Sequence, residues 1–293
     1  MSAAAVTTSG LVKTYGDTVA LSGVDLEVNV GSVYGLAGPN GAGKTTLLGL
    51  LAGLRKPTEG SVELSSSRVA VLPDTPRFDG WMTAREVVEL ARVLATPVVA
   101  AEATDEMLAV AGLSDVADRR VKGFSRGMLQ RLGLAASVVG NPELLLLDEP
   151  AAALDPAGRR EVLDLITELR GRATVLFSSH ILDDVQEVCD HVGILNRGEL
   201  VYQGTLEGIV GDAAAGAYVI ETRHDTTAVV SALTGRSWVA DVTSYDASVR
   251  IEVTSLDEAE RELVPTLAGV GVPIVAITPE RATLEKVFLE LTQ

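Results

Sequence analysis

A glycine-rich stretch near the N-terminus constrains the fold more than any other part of the chain. It covers residues 38–46 and reads Gly-Pro-Asn-Gly-Ala-Gly-Lys-Thr-Thr. An apolar segment over 32–37, typical of a buried strand, precedes it, and a leucine-rich segment over 47–54, typical of a helix, follows it. A strand, a glycine loop and a helix in this order are the context that a phosphate-binding loop requires. The sequence therefore predicts an α/β fold with an anion site at the start of this helix.

The residue types in this loop suit the binding of a nucleotide. Glycine lets the backbone turn tightly and approach the phosphates, and the N–H groups at a helix start attract an anion. Lys44 is expected to reach the β- and γ-phosphates, and the hydroxyl of Thr45 is expected to bind Mg²⁺. An ordinary glycine-rich turn is the alternative. The predicted nucleotide contacts of the loop are Asn40, Gly41, Ala42, Gly43, Lys44, Thr45 and Thr46.

Two acidic residues end the most apolar segment of the chain. Four leucines over 144–147 lead directly into Asp148 and Glu149. A continuous apolar run is typical of a central parallel strand, and acids at its carboxyl end face the ligand crevice. We expect Asp148 to hold Mg²⁺ through water and Glu149 to take a proton from an attacking water. The alternative is a strand-end turn that happens to be acidic.

Three further residues have weaker local signals. His180 follows the apolar segment 174–179, on the same side of the predicted sheet as the acids, where a catalytic and a structural role are both open. Ser125 is expected to cap the helix that follows it, and such a helix start is also a second candidate anion site. Tyr15 could stack on adenine or pack in a turn.

Composition limits the number of domains, the cellular compartment and the classes of partner. The chain has 293 residues, a length that suits one large domain or a medium and a small one. With 47% hydrophobic residues, it can bury a substantial core. A net charge of −16 argues against nucleic acid or anionic lipid as the main partner. The single cysteine, Cys189, excludes internal disulfides, and we interpret it as a buried residue of an amphipathic helix in a reducing compartment. We expect no signal peptide and no segment that spans a bilayer.

Patterning divides the chain into a larger and a smaller part. A helical period covers 83–112, with Val87, Leu90, Ala91 and Leu94 expected on one face. Residues 208–216 are rich in small side chains and are interpreted as a linker. Strand and helix patterns then restart over 217–293 and predict a small α+β domain without a recognisable reactive group.

Together these motifs resemble those of the ATP-binding subunit of an ABC transporter, over roughly residues 9–206. The segment 38–45 resembles the Walker A loop, and 144–148 resembles Walker B with Glu149 as the catalytic glutamate. Segment 124–128, Phe-Ser-Arg-Gly-Met, stands where the family has its LSGGQ signature. The remaining matches are the D-loop over 152–155, the switch histidine His180 and the adenine-stacking aromatic Tyr15.

The resemblance implies a P-loop NTPase domain with a RecA-like core, an antiparallel β subdomain and a helical subdomain over about 76–140. It places this nucleotide-binding domain at 1–210 and the accessory α+β domain at 217–293. It further implies ATP and Mg²⁺ as ligands and a head-to-tail pair of such subunits, either two copies or one copy with a related chain. In that pair, the ATP bound by one chain would also contact Ser125, Gly127 and Asp155 of the other.

The resemblance also implies a separate transmembrane permease and a location in the cytoplasm, peripheral on the inner face of the membrane. The Ser-Arg-Gly-Met form of the signature and the tail over 284–291 are similar to the drug- and sodium-type exporters of the ABC-2 group. Three positions depart from the family pattern. Asp74 replaces a glutamine and could still contact Mg²⁺ or its water, Arg126 and Met128 replace Gly and Gln of the signature, and Ala152 replaces a serine of the D-loop. The alternatives are a non-transport ABC ATPase, a regulatory nucleotide-binding module and an importer subunit.

Overall fold

The structure, a computed structural model, describes residues 3–95, 97, 99–152, 154–212, 216–223, 226–280 and 284–292. These residues form two compact units, one that runs to Leu206 and one that covers Glu207–Leu291. Within the described ranges, none of the helices has the length and hydrophobicity needed to cross a bilayer.

The first unit combines two sheets with helices. Its strands are β1 (Ala4–Tyr15), β2 (Thr18–Val24), β3 (Glu27–Asn29), β4 (Val33–Ala37), β5 (Glu59–Leu64), β6 (Val69–Leu72), β7 (Leu144–Asp148), β8 (Thr174–Ser179), β9 (His191–Asn196) and β10 (Glu199–Thr205). Its helices are α1 (Lys44–Leu51), α2 (Ala84–Leu94), α3 (Glu102–Val110), α4 (Arg126–Val138), α5 (Pro156–Glu168) and α6 (Leu182–Val188).

The larger sheet positions the candidate site. Its six strands lie in the order β10-β9-β4-β8-β7-β6, and every neighbouring pair is parallel except β10 and β9. All residues of β4, β7 and β8 are buried, as expected for parallel strands covered on both faces. Since these three strands are adjacent and parallel, their carboxyl ends bring the glycine loop, Asp148 and His180 to one edge. The predicted P-loop α/β fold is confirmed.

The smaller sheet is antiparallel. Strand β1 pairs with β2, β3 and β5, and its side chains Ala5, Val6 and Leu11 belong to the same buried cluster as leucines of α1 and β4. This cluster joins the antiparallel strands to the helix that follows the glycine loop. The position of β2 matters for the site, because β2 also packs against α1.

Helices α2, α3 and α4 share a separate apolar core that includes Val87, Val88, Leu108 and Leu132. The expected face of α2 is wrong in part, because Leu90 is 51% exposed and Leu94 is 73% exposed. The stripe that packs on the core instead consists of the buried Ala84, Val87 and Val88 and the partly buried Ala91, at helical spacings of three and four residues. Small alanines at two of these positions allow close packing against the neighbouring helices, which leaves the larger leucines outside.

Two further expectations are corrected. Residues 206–212 form a helix, α7 (Leu206–Asp212), with Ile209 buried, so that the predicted linker over 208–216 is helical at its start. Of the rest of that segment, 213–215 lie outside the described residues. Cys189 does not belong to a helix but follows the last residue of α6 in an extended conformation. It is buried as expected, and this burial raises the pKa of its thiol.

The second unit alternates strands and helices: β11 (Ala217–Thr222), α8 (Thr227–Leu233), β12 (Val239–Tyr245), β13 (Ser248–Val253), α9 (Leu256–Ala268), β14 (Ile274–Glu280) and α10 (Leu284–Thr292). Its sheet has the order β12-β13-β11-β14, and all neighbouring pairs are antiparallel. The strands and helices through β14 follow the β-α-β-β-α-β pattern of ferredoxin-like folds. Its core contains Ile220, Leu233, Trp238, Ile251 and Leu263.

Candidate functional site

The glycine loop connects the end of β4 to the start of α1, and its backbone admits only glycine at two points. Gly43 has φ of 110°, and a Cβ there would lie 2.6 Å from the carbonyl oxygen of Ala20. A Cβ on Gly38 would lie 2.4 Å from the carbonyl oxygen of Leu195. Among the described residues, no side chain caps the start of α1. The first N–H groups of this helix are therefore available to an anion.

Lys44 is the buried cation of the loop. Its ammonium donates hydrogen bonds to the carbonyl oxygens of Gly38 at 2.7 Å and Pro39 at 3.3 Å. It also lies 3.4 Å from Oε1 of Glu149. These contacts orient the side chain along the loop rather than into solvent. The ammonium thus carries a fixed positive charge at the point where the loop would enclose a phosphate.

Three contacts hold Glu149 just beyond the end of β7. Its backbone has φ of 49°, which is unfavourable for a residue with a side chain. Its N–H donates to Oγ of Ser178 at 2.9 Å, and its Oε2 lies 2.8 Å from Nδ1 of His180. With Lys44 on its other oxygen, the carboxylate is fixed between a cation and an imidazole. A carboxylate held in this way can act as a general base.

Asp148 and Thr45 supply the oxygen atoms that suit Mg²⁺. Asp148 is buried, and its Oδ1 accepts a hydrogen bond from Ser178 at 2.7 Å. The described residues contain no cluster of three or more acidic, His or Cys side chains arranged for a metal. Mg²⁺ bound to a nucleotide needs few protein ligands, because phosphate and water oxygens complete its octahedron. The donor set of one hydroxyl and one carboxylate therefore fits this ion.

A cavity of about 500 Å³ lies beside the glycine loop, and Asp148 is not among the residues that line it. It contains all the predicted contacts of the loop over 40–46, together with Glu149, His180 and Asp74. The sequence analysis missed four of its residues, Thr18, Val19, Ala20 and Arg126. The first three lie at the start of β2, which follows Tyr15 by a tight turn, and their proximity to the loop depends on the packing of the two sheets. Ala152 also lines this cavity.

Ser125, Gly127 and Asp155 are not part of this cavity. They line a separate cavity of about 390 Å³ between the starts of α4 and α5. Ser125 Oγ accepts from Met128 N–H at 3.2 Å, and Asp155 Oδ1 accepts from Gly158 N–H at 2.9 Å. The expected cap of α4 is thereby confirmed. Within one chain, the contacts predicted on the glycine loop and those predicted at the starts of α4 and α5 therefore lie in two separate cavities.

Asp74 and Tyr15 lie at the margins of the site. Asp74 follows β6 and lies 3.9 Å from the guanidinium of Arg126. Tyr15 is 44% exposed, and the ammonium of Lys13 lies 4.9 Å from its ring centroid. Its hydroxyl accepts a hydrogen bond from Arg55. Tyr15 is thus an accessible aromatic ring near two cations, outside the residues that line the larger cavity. Its contact with adenine remains a prediction.

Comparison with known proteins assigns the family. The family described as ABC transporter matches residues 21–152. An uncharacterised ABC transporter ATP-binding protein of Bacillus subtilis, YxlF, is 35% identical over 96% of this chain and 97% of its own length. The chain belongs to the ABC transporter ATP-binding proteins. The daunorubicin/doxorubicin resistance ATP-binding protein of Streptomyces peucetius is 33% identical over 98% of this chain and 92% of its own length. The bacitracin transport ATP-binding protein of Enterococcus faecalis is 30% identical over 98% and 96%.

Solved structures agree with this assignment. An ATP-binding subunit of an ABC transporter has a TM-score of 0.65 and 27% identity, over 71% of this chain and 92% of its own. An ATP-binding cassette solved as a dimer in a post-hydrolysis state with ADP and Pi has a TM-score of 0.63 and 25% identity, over 69% and 98%. Both are shorter than the present ABC protein.

Proposed function

We propose that this ABC protein binds and hydrolyses ATP to drive export through a separate membrane permease of the ABC-2 type. The observation that carries the proposal is the arrangement of Lys44, Glu149 and His180 around one cavity beside an uncapped helix start. Export is favoured over import by the relatives named for daunorubicin/doxorubicin resistance and for bacitracin transport, both similar over almost the entire chain.

The geometry supports phosphoryl transfer to water. The N–H groups at the start of α1 and the ammonium of Lys44 bind the triphosphate and offset the negative charge that develops on the transferred group. Thr45 and Asp148 would hold Mg²⁺, which supplies further charge neutralisation when bound, and Asp74 could contact it or its water. Glu149 accepts a proton from the attacking water, and His180 holds the carboxylate and contacts the γ-phosphate.

The second cavity motivates a dimer. Ser125 and Gly127 lie at a helix N-terminus, which is suited to an anion, but line a different cavity from Lys44. A second subunit placed head to tail would bring its Ser125, Gly127 and Asp155 to the nucleotide on the first. The dimeric cassette with ADP and Pi described above supports such a pair. We propose a homodimer, or a heterodimer with a related subunit, that closes on ATP.

The permease contact is proposed on the surface of the helical region. Trp81 is 66% exposed, and the exposed Leu90 and Leu94 lie on the neighbouring helix α2. Large exposed apolar side chains are typical of surfaces that bind another protein. The proposal places the chain in the cytoplasm, peripheral on the inner face of the cell membrane.

The test is Glu149→Gln in the purified chain, alone and with the permease. The variant keeps the size of the side chain and removes its capacity to accept a proton. We expect ATP binding to persist and hydrolysis to fall about 100-fold or more. We also expect an ATP-dependent dimer in size-exclusion chromatography. Glu168→Gln, at the opposite end of α5 from Asp155 and outside both cavities, is the matched control and should hydrolyse ATP normally. Normal hydrolysis by Glu149→Gln would show that another group accepts the proton.

A further inference from the structure

One buried serine contacts both acidic residues of the site. Ser178 lies in β8, is fully buried and pairs in register with Asp148 of β7. Its hydroxyl donates a hydrogen bond to Asp148 Oδ1 at 2.7 Å and accepts one from Glu149 N–H at 2.9 Å. A hydroxyl has a single proton to donate, and that proton is committed to Asp148. One oxygen atom therefore links the two carboxylate residues.

The first bond defines the orientation of Asp148. A hydrogen bond to Oδ1 restricts rotation of the carboxylate and leaves Oδ2 as the oxygen for Mg²⁺ or a water bound to it. Hydrogen bonds to the outer side of a ligating carboxylate orient it and tune its affinity for metal. Because Ser178 is buried, its hydroxyl does not exchange this contact with solvent.

The second bond stabilises the unusual backbone of Glu149. The left-handed conformation at φ of 49° costs free energy for a residue that carries a Cβ. The hydrogen bond from its N–H to Ser178 offsets part of this cost at the same residue. The conformation determines where the side chain leaves the backbone, and so determines its placement between Lys44 and His180.

We propose that Ser178 is a positioning residue for ATP hydrolysis, which aligns Asp148 toward the Mg²⁺-nucleotide and Glu149 toward the attacking water through one hydroxyl. The inference rests on the proposed function and deepens it. The neighbouring Ser179 provides a matched control, because it is also buried but its hydroxyl bonds the backbone of Ile181 at 3.0 and 3.1 Å.

The experiment compares Ser178→Ala, Ser178→Thr and Ser179→Ala in the full chain. Two quantities are measured: the kcat and KM for MgATP, and the affinity for a fluorescent ATP analogue with and without Mg²⁺. For Ser178→Ala we expect kcat to fall about 10- to 100-fold, with a smaller rise in the KM for MgATP. Affinity without Mg²⁺ should be retained, and the gain in affinity on adding Mg²⁺ should shrink. Ser178→Thr keeps the hydroxyl and should restore turnover, while Ser179→Ala should match the unmodified chain.

The outcomes separate two kinds of failure. If the unmodified chain does not hydrolyse ATP with its permease, the proposed function is wrong. If it does, and Ser178→Ala has normal turnover or loses no more than Ser179→Ala, the positioning role is wrong. Thermal unfolding checks the fold of each variant. Should Ser178→Ala be unfolded, Ser178→Cys decides, because it keeps the shape with a weaker hydrogen-bond donor. Full turnover in that variant would also overturn the inference.

Discussion

Helices α1 and α4 both begin beside a predicted ATP contact, but their first turns differ. Among the described residues, no side chain caps α1, and the residue just before the helix, Gly43, has a left-handed backbone. Helix α4 begins with Ser125, whose hydroxyl already accepts the N–H of Met128. The start of α1 thus has free donors and the buried ammonium of Lys44, whereas the start of α4 is satisfied within its own chain. We therefore expect the start of α1 to bind phosphate within a single chain, and the start of α4 to contact the nucleotide only when a second subunit is present.

Lys44→Ala should have the largest effect, because it removes the buried cation of the α1 site. We expect hydrolysis to fall about 100- to 1,000-fold. Affinity for ATP should also fall in the dilute chain, as measured by titration with a fluorescent analogue. Lys56→Ala removes an exposed lysine shortly after α1 and should change neither quantity. Unchanged turnover in Lys44→Ala would contradict the role of the α1 site.

Ser125→Ala should have an intermediate effect that depends on protein concentration. In the dilute chain, ATP affinity should be unchanged, because Ser125 does not line the cavity of Lys44. At concentrations that favour the dimer, we expect hydrolysis to fall about tenfold, the effect of losing about one charge-assisted hydrogen bond. Loss of the cap should also lower the stability of the helical region by about 1 kcal/mol.

The control for this prediction is Thr83→Ala. Thr83 caps α2 in the same way, with Glu86 completing a capping box, but lies outside both cavities. It should lower stability by a similar amount and leave hydrolysis intact. If the two variants lose hydrolysis equally, Ser125 acts only as a helix cap.

The fold could be predicted largely from local sequence patterns. The apolar run over 144–147 indicated a buried parallel strand, which is β7, and the strand and helix patterns over 217–293 correspond to strands and helices of the second unit. Two sequence patterns led to expectations that the structure corrects. Leu90 and Leu94 were expected on the same face as Val87, but both leucines are exposed, and Ala84 and Ala91 pack on the core of the helical region instead. Glycine and alanine over 208–216 suggested a linker, although Ile209 is buried in α7.

The sequence predicted only those residues of the candidate site that belong to a recognisable motif. The glycine loop, Asp148, Glu149 and His180 follow buried strands, so their meeting at one edge follows from a parallel sheet. Ser178 and Arg126 had no such signal. Ser178 reaches Asp148 because the register of β7 and β8 pairs these two residues. Arg126 reaches Asp74 because the start of α4 lies near the end of β6. Register and helix packing are tertiary facts that local patterning does not contain. The functional roles of the site residues remain predictions.

Arg126→Gln tests a residue that connects the two helix starts, because Arg126 is the first residue of α4 but lines the cavity of α1. In titrations without Mg²⁺, we expect the dilute chain to bind ATP about two- to fivefold more weakly, as expected for one exposed charge. Asp74→Asn should have the opposite effect under these conditions, since it removes a negative charge near the phosphates while there is no Mg²⁺ for it to contact. The double variant should be close to the unmodified chain. Affinity titrations at low and high salt test this, because screening should reduce both effects. Unchanged affinity in both single variants would show that α4 acts on ATP only from the partner subunit.

Glu89→Gln should have the smallest effect at neutral pH. It concerns the stability of helices α2 and α3, which pack against α4. Arg92 on α2 donates two hydrogen bonds to Glu89, and Thr104 on α3 donates another, which lowers the pKa of Glu89 to about 2. Because this pKa lies below the ordinary glutamate value of 4.5, the contribution to stability is complete above pH 4.5 and is lost as pH falls toward 2. Hydrogen exchange should therefore show α2 and α3 opening before α1 as pH falls through this range. In Glu89→Gln, the difference in hydrogen-exchange protection between α2 and α1 should lose most of its dependence on pH. Equal acid sensitivity of α1 and α2 in the unmodified chain would contradict this account.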